Sequence, residues 1–149
     1  MSQSDYFLKI DGIEGESKDE KFPKWIEIYS FSWGHTNASS FSYGTGGGKG
    51  KVSFEDLKFT AEANSASPSI AIACATGQHI AWAELDVRKG GDTPQVFYKI
   101  KLTDVLVSSF QSGAHKGGNV IPQDSFTLNF AKIEYQYGAQ NEKGKVPAF

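Results

Sequence analysis

Three long runs of alternating apolar residues change phase partway along, and this limits the possible folds more than any other feature. Val52 and Phe54 share one parity, and Leu57, Phe59 and Ala61 share the other. Val96, Tyr98, Ile100 and Leu102 give way to Val105 and Val107. Phe126, Leu128 and Phe130 give way to Ile133, Tyr135 and Tyr137. Side chains on a strand alternate between faces, so an uncorrected slip would send half of a buried set into water. The run 52–61 therefore calls for a β-bulge near Glu55 and Asp56. Strands that swap faces midway are bent, or buried on both sides, and suit a closed or nearly closed barrel better than a flat sheet. The expected fold is mainly β: a bent-strand β-barrel with one short α-helix and an extended glycine-rich loop.

The rest of the chain fits that frame. The high aromatic content (11 Phe, 6 Tyr, 3 Trp) suits strands better than helices. One helix is expected between Ser67 and Gly77, with Ser67 as N-cap, Pro68 in the first turn and Gly77 after the last. Its apolar side holds Ile70, Ala73 and Cys74, and at this length it must pack on the sheet to persist. In Ile80–Arg88, Ala81, Ala83, Leu85 and Val87 form a core face, and Trp82, Glu84, Asp86 and Arg88 a polar face with one exposed aromatic. The 149 residues fit a single domain, 1–149, with no repeat or linker.

Near the N-terminus, strand Tyr6–Ile10 stops at Asp11-Gly12, a turn pair. The loop Gly12–Lys24 carries seven charged residues between Glu14 and Lys24, too polar a composition to bury. After Pro23 an alternating strand places Trp25, Glu27, Tyr29, Phe31 and Trp33 on one face, and Ile26, Ile28, Ser30, Ser32 and Gly34 on the other. Its aromatic face either packs inside the barrel or forms an interface. Phe41 and Tyr43, flanked by small and polar residues, belong more readily to an interface.

Signals for chemistry fail on detail. In the run Gly44-Thr45-Gly46-Gly47-Gly48-Lys49-Gly50, a phosphate loop would need glycine at Tyr43 and Ser or Thr at Gly50, followed by a helix. The dinucleotide pattern would need glycine at Lys49. His35, His79 and His115 are scattered, without a second ligand at metal spacing. Cys74 reads as a small core hydrophobe, and as the single cysteine it allows no intrachain disulfide. No catalytic, cofactor or metal site is expected. A net charge of −2 offers no footprint for nucleic acid or an anionic membrane. The start shows no basic stretch followed by an apolar one, so no signal peptide is expected, and the apolar run Ile70–Ala75 is far short of the ~20 residues that span a bilayer. A soluble protein made in the cytosol is expected.

The string Ile10 to Asp19 (IDGIEGESKD), with Ser32-Trp33-Gly34, resembles the haemolysin-coregulated protein (Hcp) family of type VI secretion systems. Gly46-Gly47-Gly48 before Gly50-Lys51-Val52, Ala73–Gly77, Val105–Ser109 and Thr127–Ala131 are similar to the family pattern as well. The resemblance implies a structural tube subunit. Hexameric rings would stack into a tube that is sheathed, tipped by a spike complex, and expelled without a signal peptide. Effector proteins would be its cargo, held in the lumen. The alternative is a monomeric small-ligand-binding β-barrel, against which the large aromatics argue that the interior is filled.

Two sets of residues carry the expected assembly. In a tube some strand face must line a water-filled channel, and Ser30 and Ser32 on an otherwise apolar strand are the candidates. Edge-strand serines facing bulk water are the other reading. Phe41, Tyr43, Gly44, Gly46, Gly47 and Gly48 lie in a 41–50 arm expected to order by docking on a neighbouring subunit. Ordering ten residues costs on the order of 10–20 kcal/mol in backbone entropy, which two aromatic side chains at best just offset.

Overall fold

The computed structural model of the protein describes residues 4–38, 51–90, 94–118 and 120–139. In chain order its elements are β1 (Ser4–Ile10), β2 (Ile26–Ile28), β3 (Ser30–Ser32), β4 (His35–Ala38), β5 (Lys51–Phe54), β6 (Leu57–Glu62), α1 (Ser67–Thr76), β7 (Ile80–Lys89), β8 (Gln95–Gly113) and β9 (Gln123–Tyr137). Seven strands bond in the order β2-β1-β7-β8-β9-β6-β3, all antiparallel, while β4 and β5 form a separate ribbon.

The two ends of that order are neighbours in sequence, with only Tyr29 between them. Ile28 pairs with Tyr6 of β1, whereas Ser30 pairs with Thr60 of β6. Tyr29 N–H donates to Thr60 O at 2.8 Å. The sheet thus closes on itself, and the expected bent-strand barrel is what forms. The closure also changes the expected faces of 25–34. Ile26 and Ile28 are buried, but beyond Tyr29 it is Phe31 and Trp33 that pack on the core. Tyr29 itself is 74% exposed.

Each phase change has a local cause. At Glu55-Asp56 the chain does not bulge but changes sheets, leaving the ribbon as β5 and entering the barrel as β6. Glu55 N–H holds this crossing to Gly34 O at 3.0 Å. The flips in β8 and β9 face one another, because Thr103 pairs with Lys132 and Val105 with Phe130. Asp104 stands at that point with φ +55, a left-handed backbone that Asp tolerates better than most residues. In β7, Ile80 is buried and Ala81 exposed, so the core face is Ile80, Ala83, Leu85 and Val87, one residue different from expectation.

The helix forms where expected but is capped differently. Ala66 occupies the cap position without a side-chain bond. Ser67 Oγ instead accepts from Asn64 N–H at 2.9 Å and donates to the buried Asp124. Gly77 ends the helix at φ +64, and Gln78 N–H reaches Ala73 O at 3.1 Å. Ile70 and Ala73 face the core, and Cys74 is half-buried.

The segment 12–25 departs most from expectation. Its charges are largely exposed, yet Ile13, Ser17 and Phe22 are buried. It lies as a latch across the outer faces of β1 and β7. Phe22 stacks on Phe7 with ring centroids 4.4 Å apart, and the Arg88 guanidinium sits over both rings. Arg88 also bonds Asp19 at 2.7 and 3.0 Å and Asp5 at 2.9 Å. Consequently the outer face of β7 is not an open polar surface. Asp86 is buried, Arg88 nearly so, and Trp82 half-covered. The Gly-Glu-Ser-Lys-Asp string 15–19 now has a physical account. A Cβ on Gly15 would meet Trp25 O at 2.5 Å, Ser17 exchanges backbone bonds with Lys24 and Trp25, Glu16 accepts from Ser65 N–H, and Asp19 binds Arg88. Only Lys18 points away, exposed.

Candidate functional site

The register of β3, β6, β9 and β8 builds the most distinctive surface. Inside, one rung runs Phe31–Phe59–Phe126–Phe110 across the four strands. These rings fill the barrel: Phe59 and Phe126 stack at 5.3 Å and are 0% and 1% exposed. Because neighbours in a strand face opposite ways, the flanking rungs face outward. One is Ser30–Thr60–Ser125–Gln111, the other Ser32–Lys58–Thr127–Ser109. Eight outward positions on four strands thus hold no aromatic or branched aliphatic side chain.

Hydroxyls on this face bond to each other across strands. Ser30 pairs with Thr60, and Thr127 Oγ1 lies 2.6 Å from Ser109 Oγ and 2.7 Å from Ser108 Oγ. Ser108 donates to Asp56 at 2.6 Å and Asn129 Nδ2 to the same carboxylate at 2.9 Å. The bonded Ser and Thr side chains are short and held in place, so they present hydroxyls with little entropy to lose on contact. It suits sliding or weak polar contact better than tight apolar binding.

Ser30 and Ser32 are exposed members of this face. Thr60, Ser125, Thr127, Ser109, Lys58 and Gln111 escaped the sequence reading. Ser and Thr on strands are unremarkable singly, and only the register assembles them. The other candidates, Phe41, Tyr43, Gly44, Gly46, Gly47 and Gly48, lie outside the described residues. The ribbon β4–β5 leads into that segment from the barrel.

Other surfaces are less organised. A cleft of about 480 Å³ lies between the latch and the barrel seam, lined by Glu16, Lys18, Glu27, Tyr29, Glu62 and Ile121 among others. At the far end of the hairpin β8–β9, Trp33 Nε1 donates to Tyr98 OH at 2.8 Å and both rings pack against Tyr135. Along residues 130–137, β9 pairs with β8 on one side and, among the described residues, with no strand on the other. No group of three or more His, Cys, Asp or Glu among the described residues is placed to hold a metal. None of their helices is long and apolar enough to cross a membrane.

Residues 7–137 match the family described as type VI secretion system effector, Hcp. The chain belongs to the Hcp family. It is 40% identical over 141 residues to the Hcp1 protein of Pseudomonas aeruginosa, covering 94% of this chain and 86% of that one. Among solved structures it is similar to a type six secretion system protein at TM-score 0.90 and 32% identity, covering 98% and 91% of the two chains. Hcp1 of Salmonella typhimurium follows at TM-score 0.75 and 30% identity, with 91% and 86% covered. The Hcp family is one of structural, secreted tube proteins, and the mainly-β barrel with one helix is its fold. The resemblance carried by Ile10–Asp19 and Ser32–Gly34 thus identified the family, and the strand alternation the fold.

Proposed function

We propose that this type VI secretion tube protein closes into hexameric rings, with the hydroxyl face of β3, β6, β9 and β8 toward the channel. One observation carries the reading: two outward rungs of polar side chains, six of the eight Ser or Thr, back directly onto a rung of four phenylalanines. Such a wall is rigid behind and slippery in front, which suits a protein conduit. A subunit whose two flanks differ makes heterologous contacts, and these close into a ring when the rotation permits. The rings stack, with the 41–50 arm docking on a neighbouring subunit. The edge of β9 at 130–137, which pairs with no strand among the described residues except β8, is a suitable acceptor, since it offers backbone groups to an incoming strand.

In this reading the protein has no catalytic role and binds no cofactor or nucleic acid. Its partners are further copies of itself, the sheath, the spike complex and effector proteins carried inside. It starts in the cytoplasm and leaves through the secretion machine. The rival small-ligand barrel finds no support in the packed interior, where Leu57, Phe59, Ile100 and Leu128 are fully buried.

Ser32→Gln tests the assignment. The variant is expected to keep the ring's mass near six chains by light scattering while losing most of a co-expressed effector on purification. A ring that retains its effector fully would count against a channel position for Ser32.

A further inference from the structure

Beneath the latch lies a pair of carboxyl groups that neither the fold nor the proposed assembly uses. Asp86 is 5% exposed, and its Oδ1 has no hydrogen-bond partner among the described residues. By register its neighbours are Phe7 on β1 and Lys99 on β8. Phe7 is the platform on which Phe22 of the latch is stacked. Along the same face of β7, Arg88 follows Asp86, but its guanidinium is bound by Asp5 and Asp19. Glu84 precedes it by two residues and so lies on the same face of the strand. Around the pair stand Asp5 and Lys9 of β1, Lys99 and Lys101 of β8, and Asp19 of the latch.

A carboxylate with one unsatisfied oxygen in an aromatic setting favours its neutral form, and a second carboxylate nearby favours it further. Burial first, and then the neighbouring Glu84, push Asp86 up to about 7, while Lys99 pulls the other way. Near neutral pH Asp86 passes from the acid to the carboxylate, with the proton released to water, and a new buried charge appears beside Glu84. The second charge then stands beside Phe7 and one residue along the face from Arg88. It competes with Asp5 and Asp19 for the guanidinium and draws water under the rings.

We propose that Asp86, with Glu84 beside it on β7, keeps the 12–25 latch closed while protonated and loosens it when its proton leaves. The observable is local opening of the latch, reported by amides internal to it. Gly15 N–H donates to Lys24 O, Ser17 N–H to Trp25 O and Lys24 N–H to Ser17 O.

The test is amide hydrogen exchange on the full chain at pH 6 and pH 8, corrected for intrinsic exchange rates, beside a carboxyl-carbon titration of Asp86. The wild type is expected to lose protection at those three amides by about tenfold between the two pH values, tracking the fraction ionised. Asp86 should titrate near 7. Asp86→Asn should hold protection constant across that range. Glu84→Gln, which keeps a polar neighbour but removes its charge, should lower the Asp86 midpoint and so guards against failure of the first variant to fold. An Asp86 midpoint in the ordinary carboxylate range, or equal wild-type protection at both pH values, overturns the proposal.

Discussion

At residue scale, Gly15 shows how one missing side chain holds an element in place. Its Cα faces the backbone of Trp25 and Ile26 so closely that a Cβ would stand 2.5–2.8 Å from O, C and Cα atoms. Backbone cannot yield as a side-chain tip can. Gly15→Ala is therefore expected to lift the latch and cost about 2–3 kcal/mol, measured as a lower urea midpoint. An unchanged midpoint would show that the latch contributes nothing to stability. Arg88 is the matching residue on the barrel side, and its two carboxylates are 69 and 83 positions away in sequence. Alternation along Ile80–Arg88 marks Arg88 as outward, but no local pattern says that a loop returns to cover it. This is why a charged segment that looked solvated is partly buried.

At element scale, the strands were legible because burial imposes a period of two, and each phase change marked a real break. What stayed hidden was how each break is repaired. The slip at Glu55-Asp56 becomes a change of sheet, since β5 has its own partner in β4. The slip in β8 is taken up at Asp104. The slip at Tyr29 shows no interruption of β-forming residues, yet it joins the two ends of the sheet. Here side chain and backbone separate cleanly. Tyr29→Ala is expected to change unfolding stability by less than about 1 kcal/mol, because the ring is exposed. Tyr29→Pro removes the N–H that bonds Thr60 O at the seam and should cost about 3 kcal/mol or more. Equal effects of the two substitutions in urea unfolding would contradict closure through that bond. The hydroxyl face lies at the same scale: its members come from four strands, and the register supplies what composition could not.

At the scale of the whole molecule, two carboxyls set opposite slopes of stability against pH. Asp86 keeps its proton in the fold up to about 7, whereas the unfolded chain loses it near 3.8. Between those values the native state binds more protons, so its stability falls as pH rises, and the slope vanishes above the folded value. Asp19 runs the other way. The hydrogen bonds from Arg88, first of all, hold it below its ordinary value, so its contribution is present above 3.8 and lost as pH falls through the lowered one. The melting temperature is expected to peak in mildly acidic buffer and decline toward pH 8, with Asp86→Asn removing the decline. A wild-type melting temperature that climbs steadily from pH 5 to pH 8 would oppose this. Above the single chain stands the ring, and the account is most exposed there. A three-dimensional electron-microscopic reconstruction of the purified assembly measures it directly. The expected map is a ring of six barrels with the Ser30–Thr60–Ser125–Gln111 and Ser32–Lys58–Thr127–Ser109 rungs on the channel wall and the 12–25 latch away from it. A ring with those rungs on its outer surface, or particles of a single barrel at every concentration, would contradict it.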